Sequence, residues 1–225
     1  SALADEFPQS NILISKVDVS NQNQSEAFIK QVLDQWGSID ILINNAGISM
    51  RALVSEVSVQ TLQSVMDINF WGSVYCTKAA LSSIQANKGV IVGVSSIAGY
   101  RGLPGRSGYS ASKFALNGWL EALKTELYGS GTHVMWVCPG FTSSNIRNAA
   151  LNKNAQAQGE SPMDEGSMMS AQDCATHIIN AIEKRKRILV LTFTGKRTVF
   201  MNKYFPAWAD KLVHRFFFKE GVLVK

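Results

Sequence analysis

Short apolar runs recur along this chain of 225 residues, and longer segments with helical spacing separate them. The apolar runs predict strands at residues 12–19, 39–43, 89–94, 133–138 and 187–191. The 3.6-residue period predicts helices at residues 25–36, 59–86, 107–128 and 170–184, with further helix around a break at Pro206. Strands without regular polar alternation are typical of a parallel sheet covered on both faces. The pattern therefore predicts an α/β fold.

The end of the chain differs in composition from the rest. From Lys184 to Lys225 there are eleven Lys or Arg and two acids, a net +9, which leaves −4 for residues 1–183 because the whole chain carries +5. Aromatic residues between these charges favour contact with a membrane surface, an anionic lipid or another subunit. A solvated basic tail with aromatics packed into the core is an equally good interpretation. We expect one domain over residues 1–225, with 192–225 as a basic aromatic C-terminal extension.

The cysteines, the histidines and the length of the apolar runs indicate which classes of protein the chain can belong to. The cysteines are far apart and odd in number, and the histidines have no ligand spacing, which predicts reduced thiols and no metal site. No apolar run reaches the roughly 18 residues of a membrane span. No nucleic-acid-binding motif is present, so nucleic acid is not an expected partner. We expect a cytoplasmic protein, with peripheral membrane contact through the basic C-terminus as an additional hypothesis.

One segment carries side chains suited to proton transfer. Tyr109 and Lys113 are four residues apart on a predicted helix, and so they share a face. Ser96 follows the apolar run 89–94, at a strand end, where open α/β sheets bind their ligands. Taken singly, these residues are interpreted as a half-buried tyrosine, a surface lysine and a strand-end cap. Together they predict a site in which Tyr109 acts as a general acid and base.

Six motifs in a fixed order extend this pattern: Asp18-Val19, NNAG at 44–47, Asn69 within DINFWG, Ser96, Tyr109-x-x-x-Lys113 and Pro139-Gly140. In their order and spacing the chain resembles the short-chain dehydrogenase/reductase family, NAD(P)-dependent oxidoreductases with a single Rossmann-type domain. The resemblance extends to about residue 191, and the tail is similar to the hydroxysteroid-dehydrogenase-like branch. It implies a doubly wound parallel sheet in a three-layer α/β/α arrangement.

The resemblance also implies roles for individual residues. Hydride passes between a nicotinamide ring and a carbonyl or alcohol carbon, and Tyr109 moves the proton. Lys113 lowers the tyrosine pKa and binds the nicotinamide ribose, Ser96 holds the substrate oxygen, and Asn69 holds a relay water. The cofactor, NAD or NADP with NADP slightly preferred, is expected to contact Asp18, Val19, Asn45, Ala46, Gly47, Tyr109, Lys113, Pro139, Gly140, Thr142 and Ser144. Without the resemblance, Asp18 is interpreted as a turn cap and NNAG as a strand-ending turn.

One element of the family pattern is missing. A Rossmann-type fold holds the cofactor pyrophosphate at a glycine-rich turn between its first strand and helix. No G-x-x-x-G-x-G occurs in this sequence. We therefore expect the first strands and helices of the fold, roughly 40–50 residues at ordinary element lengths, to precede Ser1.

For the substrate and the partners, the sequence predicts only a chemical class and a kind of assembly. Substrate loops are expected at 50–57, 99–107 and 145–169, and their apolar residues favour a lipid- or steroid-like carbonyl compound or alcohol: Leu103, Leu151, Met163, Met168 and Met169. Family members pair long helices like those at 59–86 and 107–128, which implies a homodimer or homotetramer. The alternative function is a non-catalytic nucleotide-binding or scaffold protein on the same fold. The complete set of four catalytic-type residues favours an enzyme, of the carbonyl reductase kind.

Overall fold

The computed structural model describes residues 11–159, 166 and 168–224. Its main sheet has four parallel strands in the order β1-β2-β3-β4. The strands are β1 Ile41–Asn44, β2 Val90–Val94, β3 His133–Cys138 and β4 Ile188–Val190. Because all four strands run in one direction, their carboxyl ends share one edge of the sheet. The predicted parallel α/β fold is therefore confirmed.

Helices connect and flank the strands: α1 Gln22–Trp36, α2 Val59–Met66, α3 Gly72–Ala86, α4 Ser107–Glu126, α5 Ala171–Glu183, α6 Phe193–Tyr204 and α7 Pro206–Phe217. Their ends carry ordinary capping groups. Ser58 Oγ accepts from Thr61 N before α2, and Ser170 Oγ accepts from Asp173 N at 3.0 Å before α5. Gly37 ends α1 with a left-handed φ of 77°, which glycine adopts without steric cost.

Two apolar layers lie on opposite faces of the sheet. On one face, Ile91 and Trp136 pack with Leu116 and Leu120 of α4 and with residues of α1 and α3. On the other face, alternate strand residues pack against α5: Val90, Val92, Met135 and Val137. Successive strand residues point to opposite faces, so the near-continuous apolar runs supply both layers. The sheet is thus the middle of three layers, as the resemblance implies.

The strand predicted at residues 12–19 is wrong. This segment has no ladder partner among the described strands, and β1, at the edge of the sheet, pairs only with β2. A strand requires a neighbour for its backbone hydrogen bonds. The segment lies along α1 instead, where Ser15 Oγ donates to Gln31 Oε1 at 2.9 Å and Asp18 N donates to Gln24 Oε1 at 2.9 Å.

The long helix predicted at residues 59–86 is divided by one π-helical turn, Asp67–Trp71, in which Gly72 N donates to Asp67 O. A π-turn inserts an extra residue into the helix and rotates the side chains that follow, and such turns are frequent at functional sites. Here the turn contains Asn69, whose side chain is completely buried. The sequence predicted the helix but not this turn.

The C-terminal segment packs beside the carboxyl edge of the sheet. Arg101 Nη2 donates to Asp210 Oδ1 at 2.6 Å, and its Nη1 donates to Asn202 Oδ1 at 3.0 Å. Asn202 Nδ2 in turn donates to Tyr100 O at 2.8 Å. These contacts join α6 and α7 to the loop after β2. A short antiparallel hairpin follows, β5 Phe218–Lys219 and β6 Val222–Leu223. The assignment of 1–225 to one domain stays a prediction.

Candidate functional site

A cavity of about 1030 Å³ opens at the carboxyl edge of the sheet. Its wall comes from the loop after β1, the end of β2, the first turns of α4, the loop after β3, and helices α5, α6 and α7. The polar part of the wall includes three residues that the sequence predicts to be catalytic: Ser96, Tyr109 and Lys113. Helices α6 and α7 belong to the tail, for which the sequence predicted either a membrane-facing or a core-packed role.

Tyr109 lies in the first turn of α4 and faces Ser96 across the cavity wall. Burial raises the pKa of Tyr109 above its ordinary value, while a hydrogen bond with Ser96 and the positive charges of Arg106 and Arg147 act in the opposite direction. Ser96 is itself fixed, because its Oγ accepts from Ala98 N at 3.1 Å. The phenol is therefore protonated at neutral pH, which suits a proton donor.

Lys113 is only 3 % exposed and lies one helical turn after Tyr109. Its Nζ donates to Val94 O at 2.9 Å and lies 5.7 Å from the centre of the Tyr109 ring. Burial lowers the pKa of Lys113 to about 8. We expected this lysine to lower the tyrosine pKa. The charges that lower the pKa of Tyr109 come from Arg106 and Arg147, and burial outweighs them. The effect of Lys113 on the tyrosine pKa stays a prediction.

Asn69 lies behind the cavity wall rather than on it. Its Oδ1 accepts from Ile48 N at 2.8 Å, and its Nδ2 donates to Ile48 O and Ser112 Oγ, both at 2.9 Å. These bonds hold the loop after β1 against α4. The same amide lies close to Gly47, where an added Cβ would be 3.2 Å from Asn69 Oδ1 and 3.5 Å from Lys113 Nζ.

The residues predicted to bind the cofactor fall into two groups. Most of them line the cavity together with Tyr109 and Lys113: Asn45, Gly47, Pro139, Gly140, Thr142 and Ser144. Asp18, Val19 and Ala46 are not in that lining. Asp18 closes a turn before α1, in which its Oδ1 accepts from Ser20 N at 3.0 Å and Ser20 Oγ at 2.7 Å. This contact matches the turn-cap interpretation of Asp18.

The predicted substrate loops contribute unequally. Leu103 lines the cavity, whereas Leu151 packs with Met50 beside it. Met168 and Met169 are not in the lining, and Met163 lies outside the described residues. Most of the apolar wall comes from residues that the sequence did not assign to the substrate site: Phe141, Ile146, Ile178, Ile179, Met201, Leu212, Val213, Phe216 and Phe217. Phe216 and Phe217 belong to the aromatic tail.

The sequence also gave no prediction for the arginines of the site. Arg106 and Arg147 line the cavity, and Arg51 lies near enough to act on the charge of Arg106. One signal was present for Arg106, which immediately precedes α4. A cation is unfavourable at the positive N-terminal end of a helix, so a basic residue at that position indicates a role other than stabilising the helix.

Comparison with known proteins places these observations in a family. The short chain dehydrogenase family model matches residues 1–155. The chain is 32% identical to mouse dehydrogenase/reductase SDR family member 7B over 191 residues, which is 84% of this chain and 59% of that protein. It is 31% identical to 11-beta-hydroxysteroid dehydrogenase A from Arachis hypogaea over 217 residues, 91% of this chain and 61% of that protein. The chain thus spans less than two thirds of the length of these relatives.

A solved structure shows the same architecture. A short chain dehydrogenase/reductase from Burkholderia phymatum, in complex with NAD, aligns with a TM-score of 0.78 and 22% identity, covering 90% of this chain and 79% of that one. This similarity shows a shared fold. Together with the family match over residues 1–155 and the relatives above 30% identity, it establishes that the chain belongs to the short chain dehydrogenase family.

Proposed function

We propose that the protein is an NAD(P)-dependent oxidoreductase that interconverts a ketone or aldehyde with an alcohol by hydride transfer. One observation carries the proposal: Ser96, Tyr109 and Lys113 meet at the wall of a single large cavity at the carboxyl edge of the sheet. Ligands of open α/β sheets bind at this edge. Membership of the short chain dehydrogenase family supports the same reaction class.

A bound nicotinamide cofactor would supply the hydride in reduction and accept it in oxidation. The cavity, at about 1030 Å³, has room for such a group, and its wall offers the small or polar residues Asn45, Gly47 and Thr142. We propose that the cavity-lining residues among those predicted from the sequence hold the cofactor: Asn45, Gly47, Tyr109, Lys113, Pro139, Gly140, Thr142 and Ser144. The NAD in the Burkholderia phymatum structure supports this class of cofactor. Contacts from Asp18, Val19 and Ala46 stay predictions.

The chain's own groups would handle the proton. Tyr109 donates its phenolic proton to the carbonyl oxygen as the carbonyl carbon is reduced, and it takes the proton back in oxidation. Ser96 donates a hydrogen bond to the same oxygen. The Lys113 ammonium stabilises the phenolate that remains after the transfer, since an opposite charge nearby favours the ionised form. Asn69 positions the loop after β1 and, as a further proposal, holds a relay water.

A single substitution tests this assignment. Tyr109→Phe removes the proton donor and keeps the ring, so we expect reduction of ketones by NADPH or NADH to fall about 10²- to 10⁴-fold. The affinity for the cofactor, measured by fluorescence titration, should change less than about tenfold, because one neutral hydrogen bond contributes only about 0.5–1.5 kcal/mol. The assay uses the full-length protein, since the chain spans 59% of the mouse relative.

Tyr128→Phe is the matched control. Tyr128 is 92% exposed and follows α4, far from the cavity lining, so its loss should leave the rate unchanged. Full activity of Tyr109→Phe would overturn the catalytic assignment. A wild-type protein that binds NADPH or NADH but reduces no carbonyl compound would favour the non-catalytic nucleotide-binding alternative.

The tail supports a proposal about location. Exposed aromatic side chains on α6, on α7 and at the break between them include Phe200, Trp208 and Phe205, and Trp208 is 67% exposed. Lys203 and Lys211 lie on the same two helices. We propose a peripheral contact with anionic membranes through this surface. No described helix is long and apolar enough to span a membrane. Flotation with phosphatidylserine vesicles should recover wild type and lose Trp208→Ala, and equal recovery from neutral vesicles would contradict the proposal.

A homodimer or homotetramer is also proposed. Phe114 of α4 and Trp71 of the π-turn are exposed apolar side chains on the long helices that pair in family members. Light scattering after gel filtration should give a multiple of the chain mass for wild type. A smaller mass for Phe114→Glu would support this interface, while a monomeric wild type would exclude it.

A further inference from the structure

Helix α6 forms part of the wall of two separate pockets. Its residues Thr194 and Met201, seven positions apart, line the catalytic cavity, whereas Lys196 and Lys203, also seven apart, line a second pocket of about 730 Å³. Residues at this spacing share one face of a helix, so the two pockets use different faces of α6. The second pocket lies between α6 and the edge strand β4, and Lys186, which precedes β4, also lines it. We call it the lysine pocket.

The described wall of the lysine pocket has an excess of positive charge. No Asp or Glu is among its lining residues within the described part of the chain, and none of its three lysines forms a salt bridge there. Lys196 and Lys203 are about 10 Å apart along α6, at a rise of 1.5 Å per residue. Their flexible four-carbon side chains can therefore converge on one group that lies between them. This arrangement suits an anion with several acceptor oxygens.

The rest of the lysine pocket is largely apolar. Ile188, Leu189 and Val190 of β4 line it together with Val199 of α6. Among the described strands, β4 pairs only with β3, so no described strand covers this edge of the sheet. An inorganic ion would leave these apolar side chains in water, whereas a larger amphiphile would cover them. We therefore expect a ligand that joins an anionic group to an apolar part.

An exposed aromatic patch adjoins the lysine pocket. Lys203 Nζ lies 5.3 Å from the centre of the Tyr204 ring. The centre of the Phe200 ring is 4.9 Å from that of Tyr204 and 6.3 Å from that of Phe205, which in turn contacts Trp208. All four aromatic side chains are at least half exposed. Basic and aromatic side chains on one exposed surface are typical of binding to a membrane interface. These surroundings favour a lipid as the source of the anionic group.

The number of lysines indicates the kind of head group. A phosphate monoester carries about 1.5 to 2 negative charges at pH 7 and has three acceptor oxygens. A lysine binds phosphate as a compact point charge with three donors, without the planar geometry that an arginine requires. Three separate lysines therefore match a phosphate monoester better than a carboxylate or a phosphodiester, each of which carries a single charge.

We propose that the lysine pocket binds the phosphate-monoester head group of a membrane lipid through Lys186, Lys196 and Lys203. The inference rests on the peripheral membrane contact proposed above, because it names the lipid that this surface selects. It is independent of the proposed reaction, since none of the residues that line the lysine pocket also lines the catalytic cavity.

Vesicle binding by the full-length protein tests the inference. Phosphatidylcholine vesicles contain either phosphatidic acid, whose head group is a phosphate monoester, or phosphatidylserine, in amounts that give equal surface charge. We expect vesicles with phosphatidic acid to bind about tenfold more tightly, since charge-assisted hydrogen bonds to the phosphate add to the general attraction. Equal binding would refute the head-group site and leave the peripheral contact. Binding to neither kind of vesicle would refute both.

Lys196→Gln and Lys203→Gln locate the site. Each should lower the ratio of the two vesicle affinities about three- to tenfold, because it removes a contact with the phosphate group. Lys211→Gln is the matched control, since it removes the same charge from an exposed lysine of α7 outside the pocket lining. It should weaken both kinds of vesicle binding and keep their ratio. An unchanged ratio in the two pocket variants, or an equal fall in the control, would refute the assignment. The wild-type comparison remains decisive if a variant fails to fold.

Glycerol 3-phosphate separates a lipid from a soluble ligand. It carries the head group of phosphatidic acid without the acyl chains, and its binding is followed by isothermal calorimetry. We expect it to bind about tenfold or more weakly than the vesicles, because it leaves the apolar side chains and the aromatic patch in water. Binding as tight as that of the vesicles would assign the lysine pocket to a soluble phosphate compound and refute the lipid source.

Discussion

Replacing Lys113 by methionine should remove a pH-dependent penalty on folding. Lys113 is 3% exposed, and burial lowers its pKa from 10.5 to about 8. Below pH 8 the lysine is protonated in both states, so folding must bury the charge. Above pH 8 the folded protein releases the proton while the unfolded chain keeps it up to about pH 10.5, and so the penalty is relieved in this window. At about 1.4 kcal/mol per pKa unit, the penalty is about 3 kcal/mol at pH 7, and about 2.5 kcal/mol of it disappears by pH 10.

Urea unfolding of wild type and Lys113→Met at several values between pH 7 and pH 10 measures this effect. The free energy of unfolding of the variant minus that of wild type should be about 2.5 kcal/mol larger at pH 7 than at pH 10, because only wild type carries the penalty. Loss of the hydrogen bond to Val94 O shifts the comparison equally at every pH. Other titrating groups cancel in the difference. Lys184→Met, at an exposed position, controls for the lost charge. A difference that does not change with pH would refute the buried, easily deprotonated lysine.

Two further predictions concern the supports of the site. Asn69→Leu should lower the free energy of unfolding by about 2–4 kcal/mol, because it breaks the three hydrogen bonds of a fully buried side chain and removes the partner of both backbone groups of Ile48; a loss below about 1 kcal/mol in urea unfolding would contradict this role. Arg101→Ala should loosen α6 and α7 from the cavity and speed tryptic cleavage within them about 5- to 100-fold, since it removes hydrogen bonds to Asn202 and Asp210. Cleavage at the rate of an Arg187→Ala control would contradict it.

The sequence predicted the elements whose signals are local. Gly37, Ser58 and Ser170 set helix ends through their own backbone freedom or side-chain oxygens, and the structure places those ends where they were expected. The strands β2 and β3 can also be predicted from their own residues, because strands buried on both faces show apolar runs without polar alternation. The run at residues 12–19 has a similar composition and is not a strand. The difference lies outside the segment, since pairing depends on a neighbour rather than on composition.

The residues of the candidate site also differ in whether a local signal predicts their position. Tyr109 and Lys113 are one helical turn apart, and Ser96 closely follows the strand before that helix, so a local motif predicts that the three side chains lie together. The π-turn at Asn69 and the tail that closes the cavity depend on packing between distant segments.

The arginines of the site depend in the same way on packing between distant segments. Arg51, Arg106 and Arg147 come from three loops spread over nearly a hundred residues, and no spacing rule relates them. Their effect is nevertheless direct, because the charges of Arg106 and Arg147 act on the pKa of Tyr109 while the local partner Lys113 does not lead that balance. The motif predicts which group carries the proton, and the tertiary approach of the loops sets the charges around that group. A family pattern read from sequence can predict the reaction class, but the electrostatic surroundings of Tyr109 follow from contacts that form only in the folded chain.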